Sequence, residues 1–372
     1  MPSVNFELRE EEIAHQVNLQ RYSTGVVRRL IGILNRADAE LAAALQGALD
    51  RLPAESFTVE RLEMLLGSIR AINLRAYEAV GRELTVELRE LATYEANYQR
   101  QLFESVIPSQ VIAQVGIAQI AVEQVYGAAL SQPMRGRLLM EWASSLEEGR
   151  RARIRDAIRL GYVEGQTIQQ IVQRIRGTRA RGYQDGIIEI DRRHAEAVVR
   201  TAVSHVAGFV QDRFFAENED LIKALAWTSV LDARTTVEIC VPRDGKQYHP
   251  VTHRPIGHNL KWMGGPGRAH WCCRSTKIPI TRSYRELGID VDELPPGDRA
   301  SMDGTVPAAT TYKEWLLRQS AARQDDVLGP TRGQLLRKGG LQIDRFWTDK
   351  GAFLDLDDLR ERDAAAFRKA GV

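Results

Sequence analysis

The first two hundred residues carry apolar side chains at three- and four-residue spacing, with no turn-rich linker to interrupt them. That periodicity is the strongest constraint on the fold, because a stripe repeating every 3.6 residues suits a helix and no other element. The stretch "GVVRRLIGILNRADAELAAALQGALDRL" places Val26, Leu30, Ile33, Leu34, Leu41 and Leu45 on one helical face. The stretch "FTVERLEMLLGSIRAI" offers Thr58 as an N-cap. In "QTIQQIVQRIRG", Thr167 and Gln170 fit a capping box, Ile168, Ile171, Val172 and Ile175 form the stripe, and Gly177 ends the helix. Ala195, Val198, Val199, Ala202, Val206, Phe209 and Val210 share one face of "RRHAEAVVRTAVSHVAGFVQDRFF". These segments predict an extended helical bundle that finds most of its partners outside its own chain.

Near residue 225 the character changes. "ALAWTSVL" has strand composition, and 240–270 is dense in Gly, Pro and His, as in a loop-rich module. After 282 two short helices are predicted on either side of "LGPTRG", and "LDLDDLRERDAAAFRKAGV" reads as a final helix with acidic residues in its first turn. The fold class expected is α+β and predominantly α-helical. It divides into an N-terminal helical region over 1–149, a small module over 150–282 and a short helical tail over 283–372.

Composition excludes some classes. With 51 basic and 49 acidic residues the net charge is only +2, too small for a wholesale nucleic-acid coat. Three cysteines, an odd number in a long chain, do not make a disulfide scaffold, so a reducing cytoplasm is the expected compartment at synthesis. The start "MPSVNFELREEEIAHQ" is acidic where a signal peptide is basic and then apolar. Residues 106–130 are the most apolar run, but four Gln and one Glu argue against a membrane span.

All three cysteines and four of the seven histidines fall between 227 and 280. Thiolate and imidazole are the ligands zinc prefers, and a structural site takes four of them. His270 and Cys273, three apart, suit a tight turn around one ion, Cys240 can close the site, and His249 or Cys272 stands as the fourth ligand. The competing reading makes the cysteines small buried apolar residues and the histidines solvated loop residues. A nuclease-like use of zinc is the enzymatic alternative. Residues 150–200 hold twelve arginines and six acidic residues. Arg150, Arg151, Arg153, Arg155, Arg174, Arg176, Arg179 and Arg181 are candidates to contact DNA phosphates without sequence preference; the alternative is a solvated face of ion pairs.

The order of short motifs carries a resemblance. Trp227 to Thr235 reads W-x-S-x-L-D-x-R-T, then come Cys240, "DGKQY" from Asp244 and Gly245, and "HWCCRS" with His270, Cys273 and Arg274. This resembles the phage head morphogenesis domain of minor head proteins, the family typified by the Mu F protein of tailed phages, over about 160–345. The resemblance implies that Trp227, Asp232, Arg234, Thr235, Asp244, Gly245, His270, Cys273 and Arg274 are the domain's signature. It also implies a low-copy structural protein at the portal vertex, not an enzyme, with the portal protein, the major capsid protein and packaged double-stranded DNA as partners. Ser275 stands where the family often has a last cysteine, and "TTVE" replaces a cysteine some members carry after RT. Both departures remove metal ligands.

Overall fold

The computed structural model describes residues 3–49, 59–283, 285–287, 298–307, 310–348 and 351–372. Seven helices come first: α1 (Val4–Leu49), α2 (Val59–Val106), α3 (Ser109–Val115), α4 (Val122–Ser131), α5 (Leu139–Val163), α6 (Ile168–Arg176) and α7 (Ile187–Glu217). Thr58 lies outside the described residues. The capping box of α6 forms as expected: Gln170 N–H donates to Thr167 Oγ1 at 3.3 Å, and Thr167 N–H donates to Gln170 Oε1 at 2.7 Å. Gly177, with φ of 91°, ends the helix in a conformation that L side chains rarely adopt.

After α7 come strand β1 (Ile222–Thr228), the single turn α8 (Cys240–Arg243), β2 (Gln247–Tyr248), β3 (Pro255–Ile256) and β4 (Thr276–Thr281). These strands form one antiparallel sheet in the order β3-β2-β1-β4. A separate hairpin of β5 (Asp298–Ser301) and β6 (Gly304–Pro307) precedes the helices α9 (Tyr312–Leu317), α10 (Ala321–Leu328), α11 (Pro330–Gln334) and α12 (Leu356–Ala370). The fold is therefore α+β and mostly helical, with long N-terminal helices. Among the described residues no helix is long and apolar enough to cross a membrane.

Two compact units result: Met1–Asn18, Tyr94–Val125 and Ala207–Val372 form one, Leu19–Thr93 and Tyr126–Val206 the other. Boundaries at 149/150 and 282/283 coincide with no edge of these units, because α1, α2 and α7 each contribute residues to both. Helices α1 and α2 run antiparallel. Within the second unit, Tyr22 donates to the Glu87 carboxylate at 2.7 Å and Arg75 to Glu40 at 2.7 Å. The predicted stripes are covered by the chain itself: Val26, Leu30, Leu34, Leu41, Leu45, Val198, Val199, Ala202 and Val206 are buried, with Ile33 and Val172 half-buried. The expectation that these faces await outside partners is corrected. Burying them intramolecularly already satisfies the hydrophobic drive.

The tail also has its own core. Tyr312, Trp315, Leu316, Leu335, Phe346, Leu359 and Phe367 cluster with Leu231 and Val241 from the sheet module. The first unit's other cluster joins Phe103, Phe214, Phe215, Trp227, Tyr248 and Trp262.

In that first unit a buried polar group lies between α1, α2 and α7. Glu95 accepts from Gln99 at 3.0 Å and Gln211 at 2.8 Å, and its other oxygen lies 2.7 Å from His15 Nε2. His15 stacks on Tyr98 with ring centroids 3.7 Å apart. Glu12 is fully buried beside them, and burial, offset by His15 but reinforced by Glu95, pushes its carboxyl up to about 8 from an ordinary 4.5. The folded chain thus holds a proton that the unfolded chain releases. The stability due to neutral Glu12 is complete below about pH 4.5 and is lost as pH rises through about 8. Glu12→Gln, which keeps the shape without titrating, is expected to flatten that decline; urea midpoints of both chains across this range measure it, and parallel curves would refute it.

Candidate metal centre in the sheet module

The module is positioned by one carboxylate. Asp212 on α7 pairs with Arg268 and with Lys277, and Lys277 Nζ also donates to the Gly208 carbonyl at 2.7 Å. Lys277 is fully buried, and burial, offset by Asp212, lowers it to about 8. Burial alone would raise Asp212, but Arg268 and Lys277 together hold it below its ordinary value. Gly208 lacks a side chain where Arg268 passes: a Cβ there would sit 3.2 Å from Arg268 Nε. Lys277 pairs with Trp227 and Thr276 with Thr228 in the antiparallel ladder. The segment 268–275 is therefore delivered to the end of β1.

There it meets α8. Cys240 and Val241 N–H groups donate to the Thr236 carbonyl at 2.9 and 3.2 Å, which seats the turn. Cys240 Sγ stands 3.2 Å from His270 Nε2 and 3.9 Å from Cys273 Sγ, and the three donor atoms all lie within 4.8 Å of one another. Both cysteines are buried, while His270 is half-buried. His270 Nδ1 lies 2.9 Å from the Trp271 carbonyl. A carbonyl can only accept, so Nδ1 carries the proton and Nε2 presents its lone pair to the sulfurs, the tautomer a metal-ligating histidine needs.

The surroundings favour anionic sulfur. Cys273 is held well below the ordinary thiol value, first by a hydrogen bond from Cys240 that outweighs burial, and further by the Ser275 backbone N–H. Cys240 is pushed up by the same partnership and by burial. One proton thus lies between the two sulfurs, on Cys240 and directed at Cys273. Arg243 adds positive potential toward Cys240, and Arg274 toward both sulfurs. Two thiols and one imidazole nitrogen converging in this way can hold a metal ion, which replaces the shared proton.

The other signature residues build the corner around this cluster. Arg274 grips Asp232 through two hydrogen bonds of 2.6 and 2.9 Å, and Asp232 also accepts the Arg234 N–H at 2.9 Å. Burial works against ionised Asp232, yet Arg274 keeps it below its ordinary value. Arg234 contributes only its backbone to that corner and its side chain is exposed, because Arg274 occupies the carboxylate. Thr235 Oγ1 donates to the Val230 carbonyl at 2.5 Å. Asp244 is buried and accepts the Ser229 N–H at 2.7 Å and the Tyr312 N–H at 2.6 Å, so it ties β1 to the tail. Gly245 turns at φ of 76° and donates to the Trp227 carbonyl at 2.8 Å.

Two expected ligands are elsewhere. His249 Nδ1 accepts N–H groups from Val251 and Thr252 and shapes a loop. Cys272 is exposed, and its φ of 52° belongs to a turn that sends residues 272 and 273 apart. Thr236, which the sequence reading did not single out, sits beside His270; its one signal is its position four residues before Cys240.

The eight arginines, all in the second unit, have divided fates. Arg150 is fully buried against Asp38 and cannot reach a phosphate. Arg153 pairs with buried Asp191, Arg174 with Glu164 at 2.6 Å and Arg155 with Asp156 at 2.9 Å. Arg176 covers the Tyr183 ring at 4.8 Å, and Arg151 lines a cleft beside Arg70 and Leu74. Arg179 and Arg181 are exposed.

Comparison with family models, with curated proteins and with solved structures returns no match.

Asp244→Ala is expected to destabilise the chain by about 2–4 kcal/mol, because two buried N–H donors lose their acceptor. Urea denaturation measures this, and a change under about 0.5 kcal/mol, the range of an ordinary surface substitution, would refute the tie.

Proposed function

We propose that this chain is a minor head protein of a tailed phage, present in low copy at the portal vertex and serving head assembly, DNA packaging or DNA ejection. The observation carrying this reading is that the ordered motif segments, 42 residues apart between Asp232 and Arg274, close on one another as one corner. Asp232, Thr235, Asp244, His270 and Arg274 each hold backbone or another signature residue, as suits a structural role. The proposed partners are the portal protein and the major capsid protein, with the chain oligomeric around the portal. A cleft of about 800 Å³ in the helical unit, where exposed Leu74, Val86 and Met140 lie among Arg70, Arg82, Arg151 and Glu148, is a mixed apolar and charged surface suited to such contacts. Packaged double-stranded DNA is a further partner, through Arg176, Arg179 and Arg181 and without sequence preference. The protein belongs to the virion head, after assembly in the host cytoplasm.

Zinc is the ion proposed for the cluster. Two thiolates about 2.3 Å from one tetrahedral zinc lie about 3.8 Å apart, and the observed sulfur separation is 3.9 Å. Held there, zinc would staple β4 to α8 in a loop-rich module. The same donor set supports a second reading, a zinc-dependent nucleic-acid-processing enzyme. Nuclease assay of the zinc-loaded chain distinguishes it.

Quantitative mass spectrometry of density-purified virions and procapsids tests the main reading. The expected result is a copy number on the order of a dozen or fewer, as a ring at one vertex requires, and far below that of the capsid protein. Absence from both particles would overturn it.

A further inference from the structure

We infer that Cys240, Cys273 and His270 form a metal centre whose fourth coordination position takes an exchangeable ligand, water or a small anion, steadied by the Thr236 hydroxyl. The inference rests on the metal reading above and concerns what completes the coordination shell.

Tetrahedral zinc has four positions, and a site with three protein ligands leaves the fourth to solvent or to a small molecule. Among the described residues the convergent group of Cys, His, Asp and Glu donors contains three members. The neighbouring donors of the module are engaged elsewhere. His253 stacks on Trp262 at 4.8 Å with Nε2 3.9 Å from Asp212, away from the cluster, and His258 uses Nε2 on the Gln247 carbonyl at 2.8 Å and Nδ1 on the Leu260 N–H at 3.1 Å. His249 holds its own loop, and the Asp232 carboxylate is gripped by Arg274. Ser275 is buried with its N–H toward Cys273 and its hydroxyl toward Cys240, so it supports both sulfurs as a donor.

Thr236 differs from these. Its Oγ1 lies 3.0 Å from His270 Nε2 and 3.4 Å from Nδ1. These two distances place the hydroxyl against the ring face beside Nε2, off the in-plane lone pair that a metal would take. This hydroxyl would therefore stand beside a metal on Nε2 without competing for the same lone pair. Its position is set by the backbone, because the Thr236 carbonyl accepts the Cys240 N–H at 2.9 Å. Thr236 and His270 are both half-buried, and Trp271 and Cys272 beside them are exposed, so small solutes reach this side while the sulfurs stay covered. A hydroxyl beside a bound metal can hydrogen-bond to, and so orient, what the metal binds.

Cobalt(II) is the probe, since its visible bands report coordination number and its near-ultraviolet charge transfer reports bound thiolate. The reduced full-length chain is expected to bind one cobalt ion with thiolate charge transfer and tetrahedral visible bands. Added azide is then expected to shift the visible bands saturably, with charge transfer and bound cobalt unchanged. Thr236→Val should move the azide midpoint severalfold at the same cobalt stoichiometry, and Thr236→Ser should restore it. Visible bands indifferent to azide at full occupancy would mean a fourth protein ligand; that overturns the exchangeable position and leaves the metal reading standing. Cobalt and zinc binding no tighter than that of Cys240→Ser/Cys273→Ser would overturn both. Particle composition decides the minor-head role independently of either outcome.

Discussion

The largely covered carboxylate of Asp212 makes the interaction on which the sheet module depends. It faces Arg268 and Lys277, which flank the segment containing His270, Cys273 and Arg274. Pinning both ends of so short a stretch fixes where its middle can go. Lys277 is fully buried, so the pairing is not optional: without Asp212 a charged amine would sit in the interior beside Trp227's ladder position. The energetic weight of that pair lies in the penalty for breaking it, and the same penalty enforces the register of β4 on β1. A slip of one residue would turn Lys277 to the other face of the strand and carry His270 and Cys273 away from Cys240.

Two further carboxylates extend this frame outward. Asp244 joins the start of the corner after β1 to the first helix of the tail, and Asp232 joins the corner to the segment before β4. The Tyr312 hydroxyl donates to the Asp232 carbonyl at 2.8 Å, and Trp347 Nε1 donates to the Val237 carbonyl at 3.0 Å. The tail is thus integral to the module, with aromatic donors reaching the loop backbone that an isolated module would leave to water. Buried carboxylates accepting backbone N–H groups explain why a region dense in Gly, Pro and His holds one conformation.

Much of this was legible. The capping box of Thr167 and Gln170, the apolar stripes of α1 and α7, strand composition over 224–231 against the observed 222–228, and the turn at Asp244-Gly245 follow from local chemistry, which acts within a few residues. Donor type and spacing offered the convergence of His270 and Cys273 with Cys240 as one of two readings, and the fold brings the three donor atoms together. The fourth expected donor was not found, since neither His249 nor Cys272 points to the cluster. Arg150 shows the same limit: an arginine in a basic run looks solvent-facing until Asp38, 112 residues away, is placed against it. The core of the tail was missed because its short helices carry too few turns for a stripe to stand out, and Tyr312, Trp315 and Phe346 find one another only in three dimensions.

The sequence by itself determined the elements and their chemistry: long amphipathic helices, a short strand-rich insert, and soft ligands concentrated in fifty residues. These follow from periodicity and composition, which are properties of neighbours along the chain. Only the tertiary structure decided which polar groups are partners. Asp212 with Lys277, Asp232 with Arg274 in place of Arg234, Asp244 with Tyr312, and Thr236 with His270 are all pairings across dozens of residues. Such pairs are selected by the cost of burying a charge or a donor alone, and that cost exists only once the core has closed around it.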